Sequence, residues 1–189
     1  MRPIELSEVC NIAEYEGLRK QWRPQVMALK ERRRIAVGEH LTFLFENRET
    51  VRYQIQEMMR IERITEPEAI AHEVATYNEL IPQPGELSAT LLIEYASAEE
   101  RDVKLRELLG LEKHIWLAVN GTARIPARFD ERQIATDRLS SVQYVKFRLS
   151  EEQVERWRQG VSLICDHPAY RAERVLTKAE LEELGQDLV

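Results

Sequence analysis

Two arginines at the start of an amphipathic segment carry the spacing that speaks most directly of chemistry. Arg48 and Arg52 stand four residues apart behind Asn47, a helix-capping residue, and so share one helix face within the first turns. Like charges at that spacing repel by about 0.2–0.5 kcal/mol, and the helix dipole is already positive there. The pair calls for an anion. Glu49 on the same helix, an acidic side chain from elsewhere such as Glu86, or an external carboxylate or phosphate held at the helix start would each supply it. Gln56 extends that face by one turn, with Glu57 beside it, so a polar strip runs next to the apolar stripe of Val51, Ile55 and Met58, continued by Glu62 or Ile61. Met58 and Met59 beside Tyr53 read as core filler.

A second constellation is Cys165-Asp166-His167-Pro168-Ala169-Tyr170. If a strand runs as far as His167, alternation puts Cys165 and His167 on one face and Asp166 on the other, the geometry of a Cys/His metal pair or a thiolate-imidazole pair. Two donors do not complete a site, and a turn at His167-Pro168 with Asp166 bonding local amides is the competing reading. Other motifs fall short. His72-Glu73 has Thr76 where a zincin helix needs its second histidine, and Gly160-Val161-Ser162 lacks the second glycine of a nucleophile elbow. No glycine-rich phosphate loop is present, and His40, His72, His114 and His167 are scattered. The sequence names no cofactor and no complete catalytic set.

Composition bounds the function further. Lys and Arg number 27 against 33 Asp and Glu, and the net charge of −6 argues against duplex nucleic acid as the main partner. The run Arg32-Arg33-Arg34 after Lys30 reads as a solvated helix end favoured by the dipole, with a local RNA-binding patch as the alternative. No apolar stretch reaches the roughly 18 residues of a membrane helix, and the opening residues lack a signal-peptide core, so a cytoplasmic protein with no membrane partner is expected. Cys10 and Cys165 are too few and too distant for a disulfide framework. Oligomeric state leaves no mark in the sequence.

The elements that must position these residues follow from periodicity. Ser7 caps a short first turn. Tyr15, Leu18, Trp22, Val26 and Leu29 mark a helix over 13–34 that Pro24 should kink or divide. Residues 40–45 form a strand with Leu41, Phe43 and Phe45 on one face; the Arg48 helix follows, then a third helix capped by Thr65 with Pro67 in its first turn. Pro82-Gln83-Pro84-Gly85 breaks the chain. Beyond it, strands are expected at 87–95, 114–119, 142–149, 161–165 and 171–176, with helices at 98–111, after Ser150 and after Thr177. Asn120-Gly121 predicts a tight hairpin into a strand over 122–129, and Val142, Tyr144 and Phe147 or Val145 are expected to face inward. This order gives an α+β fold of one domain over 1–189, its helical part at 1–81 packed on a mainly antiparallel sheet at 86–189.

The stretches 41–48, 51–58, 84–90, 142–147 and 166–170 together resemble a bacterial domain-of-unknown-function family of short single-domain proteins. The resemblance spans nearly the whole chain. Its motifs fall on Arg48, Arg52, Gln56, Glu57, Glu86, Asp166, His167 and Tyr170. Such proteins are often encoded beside rubrerythrin-like di-iron proteins and iron-sulfur proteins, which implies a redox protein as partner and a part in oxidative-stress metabolism. The expectation is an accessory or binding protein whose polar site, formed by those eight residues, takes a small anionic ligand. The alternative is a metal- or haem-binding enzyme or sensor with ligands from Cys165, His167, Glu57 and a further histidine.

Overall fold

The computed structural model describes residues 1–134 and 136–189. In chain order the elements are α1 (Ile12–Arg32), β1 (Arg34–Val37), β2 (Leu41–Glu46), α2 (Arg48–Glu62), α3 (Pro67–Asn78), β3 (Glu86–Ile93), α4 (Ala98–Glu107), β4 (Ile115–Val119), β5 (Ile125–Pro126), β6 (Arg128–Phe129), β7 (Val142–Arg148), α5 (Glu151–Glu155), β8 (Val161–His167), β9 (Tyr170–Val175) and α6 (Lys178–Gly185). The strands make two sheets, in the orders β1-β2-β3-β7-β6 and β5-β4-β8-β9. Every pairing among the described residues is antiparallel. The fold is α+β, with two corrections to the expected layout. The single sheet expected at 86–189 is two sheets, and the strand expected at 40–45 is joined by β1, the pair forming one edge of the larger sheet within the mainly helical part.

Strand alternation decides which face is apolar. Ile35 and Val37, Leu41, Phe43 and Phe45, Leu87, Ala89, Leu91 and Ile93, and Val145 and Phe147 all point to one side of the five-stranded sheet. They join Ile115, Leu117, Val119, Val161, Leu163 and Cys165 from the other sheet in one buried core, closed by α4 and α6 residues and Trp157. On β7 the inward set is Gln143, Val145 and Phe147, so Val142 and Tyr144 face away from this core. Gln143 is fully buried among apolar neighbours, which is why a hydrophobicity count chose the wrong parity.

The opposite face of the five-stranded sheet is polar and lies under the helices. Val51 and Gln54 of α2, with Tyr77 and Leu80 at the end of α3, approach Leu44, Thr90, Leu92 and Tyr144 on that face. A second, smaller core of Ile4, Val51, Ile55, Met59, Val74 and Ile81 joins α2 to α3 and the N-terminal segment. Met59 is the buried methionine, while Met58 is half-buried and Ile61 is exposed. Tyr15, Trp22 and Tyr53 pack edge to face between α1 and α2.

Several local expectations shift by a residue or two for identifiable reasons. Glu5 and Glu8 form the capping box of the first turn, and Ser7 lies inside it. Pro24 is exposed and α1 runs through it undivided. Glu66, not Thr65, precedes the α3 helix, whose first position is Pro67. The segment 122–129 splits: Pro126 has no amide to donate, Ala127 instead donates to Ile115 O at 2.9 Å, and β6 crosses to pair with β7 in the other sheet. Gly121 takes φ +73°, but Asn120 does not enter the left-handed region, so the two-residue hairpin turn is absent.

The largest departure is at Arg33. Expected on a solvated helix end, it is 1% exposed and sits between layers. Its guanidinium donates to Phe45 O at 2.8 Å, Glu46 O at 3.2 Å and Glu183 at 3.2 Å, and it pairs with the buried Asp187 carboxylate. The C-terminal helix is thereby tied to the start of the larger sheet.

Candidate functional site

The structure supplies the anion that Arg48 and Arg52 demand, and it is internal. Arg48 pairs with Glu8 at 2.5 Å and donates to Arg2 O at 3.2 Å. Arg52 donates to Glu8 O at 3.2 Å, and its guanidinium lies 4.8 Å over the Trp22 ring. One turn on, Gln56 accepts from Cys10 N at 2.7 Å and donates to Cys10 O at 3.1 Å. Asn78 on α3 grips Ile4 N and O in the same two-way manner, at 2.8 and 2.9 Å. The polar strip on α2 is therefore a clasp for residues 2–10, using the donors and acceptors that a neighbouring strand would otherwise supply.

Glu57 continues this network toward α1. Arg19 grips it through two bonds of 2.7 and 3.0 Å and Tyr15 donates to it at 2.6 Å, which together hold its carboxyl down to about 2 against the opposing effect of burial. Glu8 is held at about 2 as well, chiefly by the Glu5 backbone amide and then by Arg48. A carboxyl depressed on folding contributes stability that is complete above its unfolded value near 4.5 and is lost as pH falls toward the folded one. The melting temperature is therefore expected to fall between pH 4.5 and 2, and Glu57→Gln should flatten that slope while lowering the neutral-pH melting temperature. An unchanged slope in the variant would show that Glu57 does not carry it.

The remaining expected site residues lie elsewhere and, among the described residues, share no hydrogen-bond partner with the clasp, so the structure does not bring the eight together. Cys165 and His167 do share a buried face, as alternation requires, but their polar atoms are engaged. The Cys165 thiol donates to Tyr170 O, His167 Nδ1 accepts from Ala169 N at 3.2 Å, and its Nε2 then donates to Leu109 O at 3.1 Å. Burial also pushes the Cys165 thiol up, away from thiolate. Asp166 faces outward and is held below its usual value by Trp116 and His114, both 3.0 Å from one oxygen, with Arg124 farther off. Tyr170 donates to Val37 O at 2.8 Å and accepts from His40 N at 3.0 Å, pinning the turn between β1 and β2. Among the described residues no three His, Cys, Asp or Glu side chains are placed to hold a metal ion.

A different place in the molecule has the features of a binding site. On the polar face of the larger sheet one cross-strand row reads Glu46 on β2, Ser88 on β3, Lys146 on β7 and Arg128 on β6. Over the row, between sheet and helices, lie three adjoining cavities of about 260, 210 and 330 Å³, all bordered by Leu80 and Tyr144. Ser88, Lys146, Arg128 and Arg132 line the first, with Phe129 as an apolar wall. Ser88 is 1% exposed and its hydroxyl has no hydrogen-bond partner among the described residues. A buried hydroxyl left unsatisfied costs about 1–3 kcal/mol, which a ligand acceptor would recover.

The surrounding charges are unevenly matched. Lys146 spends one donor on Glu86 at 2.8 Å, and Arg132 is taken up by Asp130 and Glu79. Arg128 makes no ion pair or side-chain hydrogen bond among the described residues. Burial, then the charges of Glu46 and Asp130, raise the Tyr144 phenol, so it remains a neutral donor at physiological pH. Of the residues expected to bind ligand, Glu86 alone touches this cleft, through Lys146. Ser88, Tyr144 and Lys146 fall within the stretches 84–90 and 142–147, yet none carries a motif; the signal available was the run of polar residues at every second position of β3 and β7.

A two-sheet α+β chain with a polar cleft under a helical layer is the class that fold and site define. The family described as "Protein of unknown function (DUF3501)" matches residues 3–188, and the chain belongs to it. A crystal structure of a protein of unknown function from Burkholderia pseudomallei K96243 is similar over 100% of both chains, with 31% identity and a TM-score of 0.92. No curated protein matches the chain. Among the described residues no helix is long and apolar enough to cross a membrane.

Proposed function

We propose that the protein is a non-catalytic binding module for a small organic acid, held in the cleft between the helical layer and the five-stranded sheet. The buried, unpartnered Ser88 hydroxyl beside Lys146 carries this reading. It offers a donor, Lys146 has ammonium protons beyond the one that Glu86 accepts, and Arg128 adds a guanidinium at the rim. Because Glu86, Glu79 and Asp130 match Lys146, Arg132 and Arg128 charge for charge, a monoanion fits better than a phosphate dianion. Serving a redox partner, the partner class implied by the family resemblance, such a module would carry or sense the acid.

Calorimetric titration with propionate and, separately, with inorganic phosphate tests the reading. Propionate is expected to bind, and Lys146→Met to weaken it by about 1.5–3 kcal/mol, tenfold or more, since a charge-assisted hydrogen bond is lost. Binding unchanged in Lys146→Met, or phosphate binding in preference to propionate, would contradict it.

A further inference from the structure

Resting on that reading, we infer that the acid carries an ammonium group as well: the ligand is a small amino acid, its carboxylate toward Lys146 and its ammonium toward Glu46. Glu46 is 6% exposed, faces the same side of the sheet as Ser88 and is its direct cross-strand neighbour. Both of its oxygens accept hydroxyl protons, from Thr50 at 2.5 Å and Thr90 at 2.6 Å. No cation lies within ion-pair distance of it among the described residues. Glu46 lines the cavity that adjoins the one lined by Ser88 and Lys146; Lys30 lines it too, but its ammonium stands 5.4 Å over the Tyr53 ring and makes no ion pair among those residues.

A buried carboxylate bonded only to neutral hydroxyls keeps acceptor capacity on each oxygen, and it is the partner an ammonium seeks on leaving water. The row thus presents an acid, a hydroxyl and an amine in order on three adjacent strands. The Glu46 carboxylate leans along β3 toward Thr90 and the Lys146 ammonium toward Glu86, on opposite sides of Ser88, so a ligand meeting both carries its ammonium and its carboxylate at opposite ends of its chain. That arrangement suits an ω-amino acid and excludes diamines and dicarboxylates, which carry only one sign of charge.

Matched ligands that differ only in the amine supply the test: β-alanine against propionate, and γ-aminobutyrate against butyrate, titrated into the full chain. In each pair the amino acid is expected to bind more tightly, at least tenfold for γ-aminobutyrate over butyrate, with a smaller margin for the shorter pair. In Glu46→Gln the advantage of the amine should vanish while propionate affinity holds. In Ser88→Ala both members of each pair should weaken while the melting temperature of the unliganded protein holds or rises, because that hydroxyl has no partner among the described residues and its burial is a cost; the paired titrations of the unaltered chain carry the test if Glu46→Gln fails to fold. Equal affinity within each pair overturns the inference while leaving acid binding intact. No binding of either member overturns both.

Discussion

Arg33→Ala is expected to destabilise the protein by about 3–5 kcal/mol, the loss typical of removing one partner from a buried ion pair. At this chain length that corresponds to a fall of roughly 6–20 °C in melting temperature. The reason is what remains behind. Asp187 would stay 2% exposed with its charge unanswered, Glu183 would lose one of its two arginines, and the carbonyls of Phe45 and Glu46 would lose their donor. Burial already pushes the Asp187 carboxyl up despite Arg33, and without the guanidinium it should be pushed up further. The double variant Arg33→Met with Asp187→Leu should recover much of the loss, because an apolar pair of similar volume is about as stable as a buried ion pair. Differential scanning calorimetry decides it: a single-variant loss below about 1 kcal/mol would mean that the pair is solvated.

Gly38→Ala should cost about 3 kcal/mol, from two causes at one atom. Gly38 has φ +70°, where an added Cβ is strained. That Cβ would also lie 2.3 Å from the Tyr170 hydroxyl, forcing away the group that bonds Val37 O and His40 N. Tyr170→Phe separates the two. It loses the hydrogen bonds without the clash and should cost about 1–2 kcal/mol. Denaturant melts of both variants measure the difference, and equal losses would show that backbone strain contributes nothing.

Most helices and several of their cap residues were legible from the chain because they obey local rules, although Ser7 and Thr65 were not the caps. Asn47, Ser150 and Thr177 all cap as their side chains dictate. The pairing of Cys165 with His167 on one face followed from strand alternation alone. What escaped is non-local. Arg33 looks like any residue in a basic run until Asp187, 154 positions away, folds against it. The Arg48/Arg52 pair did signal a missing anion, but Glu8 on an N-terminal segment with no periodicity supplied it, turning the expected ligand site into a structural clasp. Ser88 and Lys146 carry no motif and come together only through register, when β3 and β7 bring them side by side in one row with Glu46. Gln143 misled the facing of β7 because a polar residue entered the core.

The account rests on where a small carboxylate binds. Backbone amide chemical-shift mapping during titration with β-alanine addresses that directly. Perturbations centred on Ser88, Thr90, Tyr144, Lys146 and Arg128 are predicted, with the amides of residues 2–10, Arg48 and Arg52 unmoved. Perturbations centred instead on the clasp at Glu8, Arg48 and Arg52, or on Asp166 and His167, would contradict it.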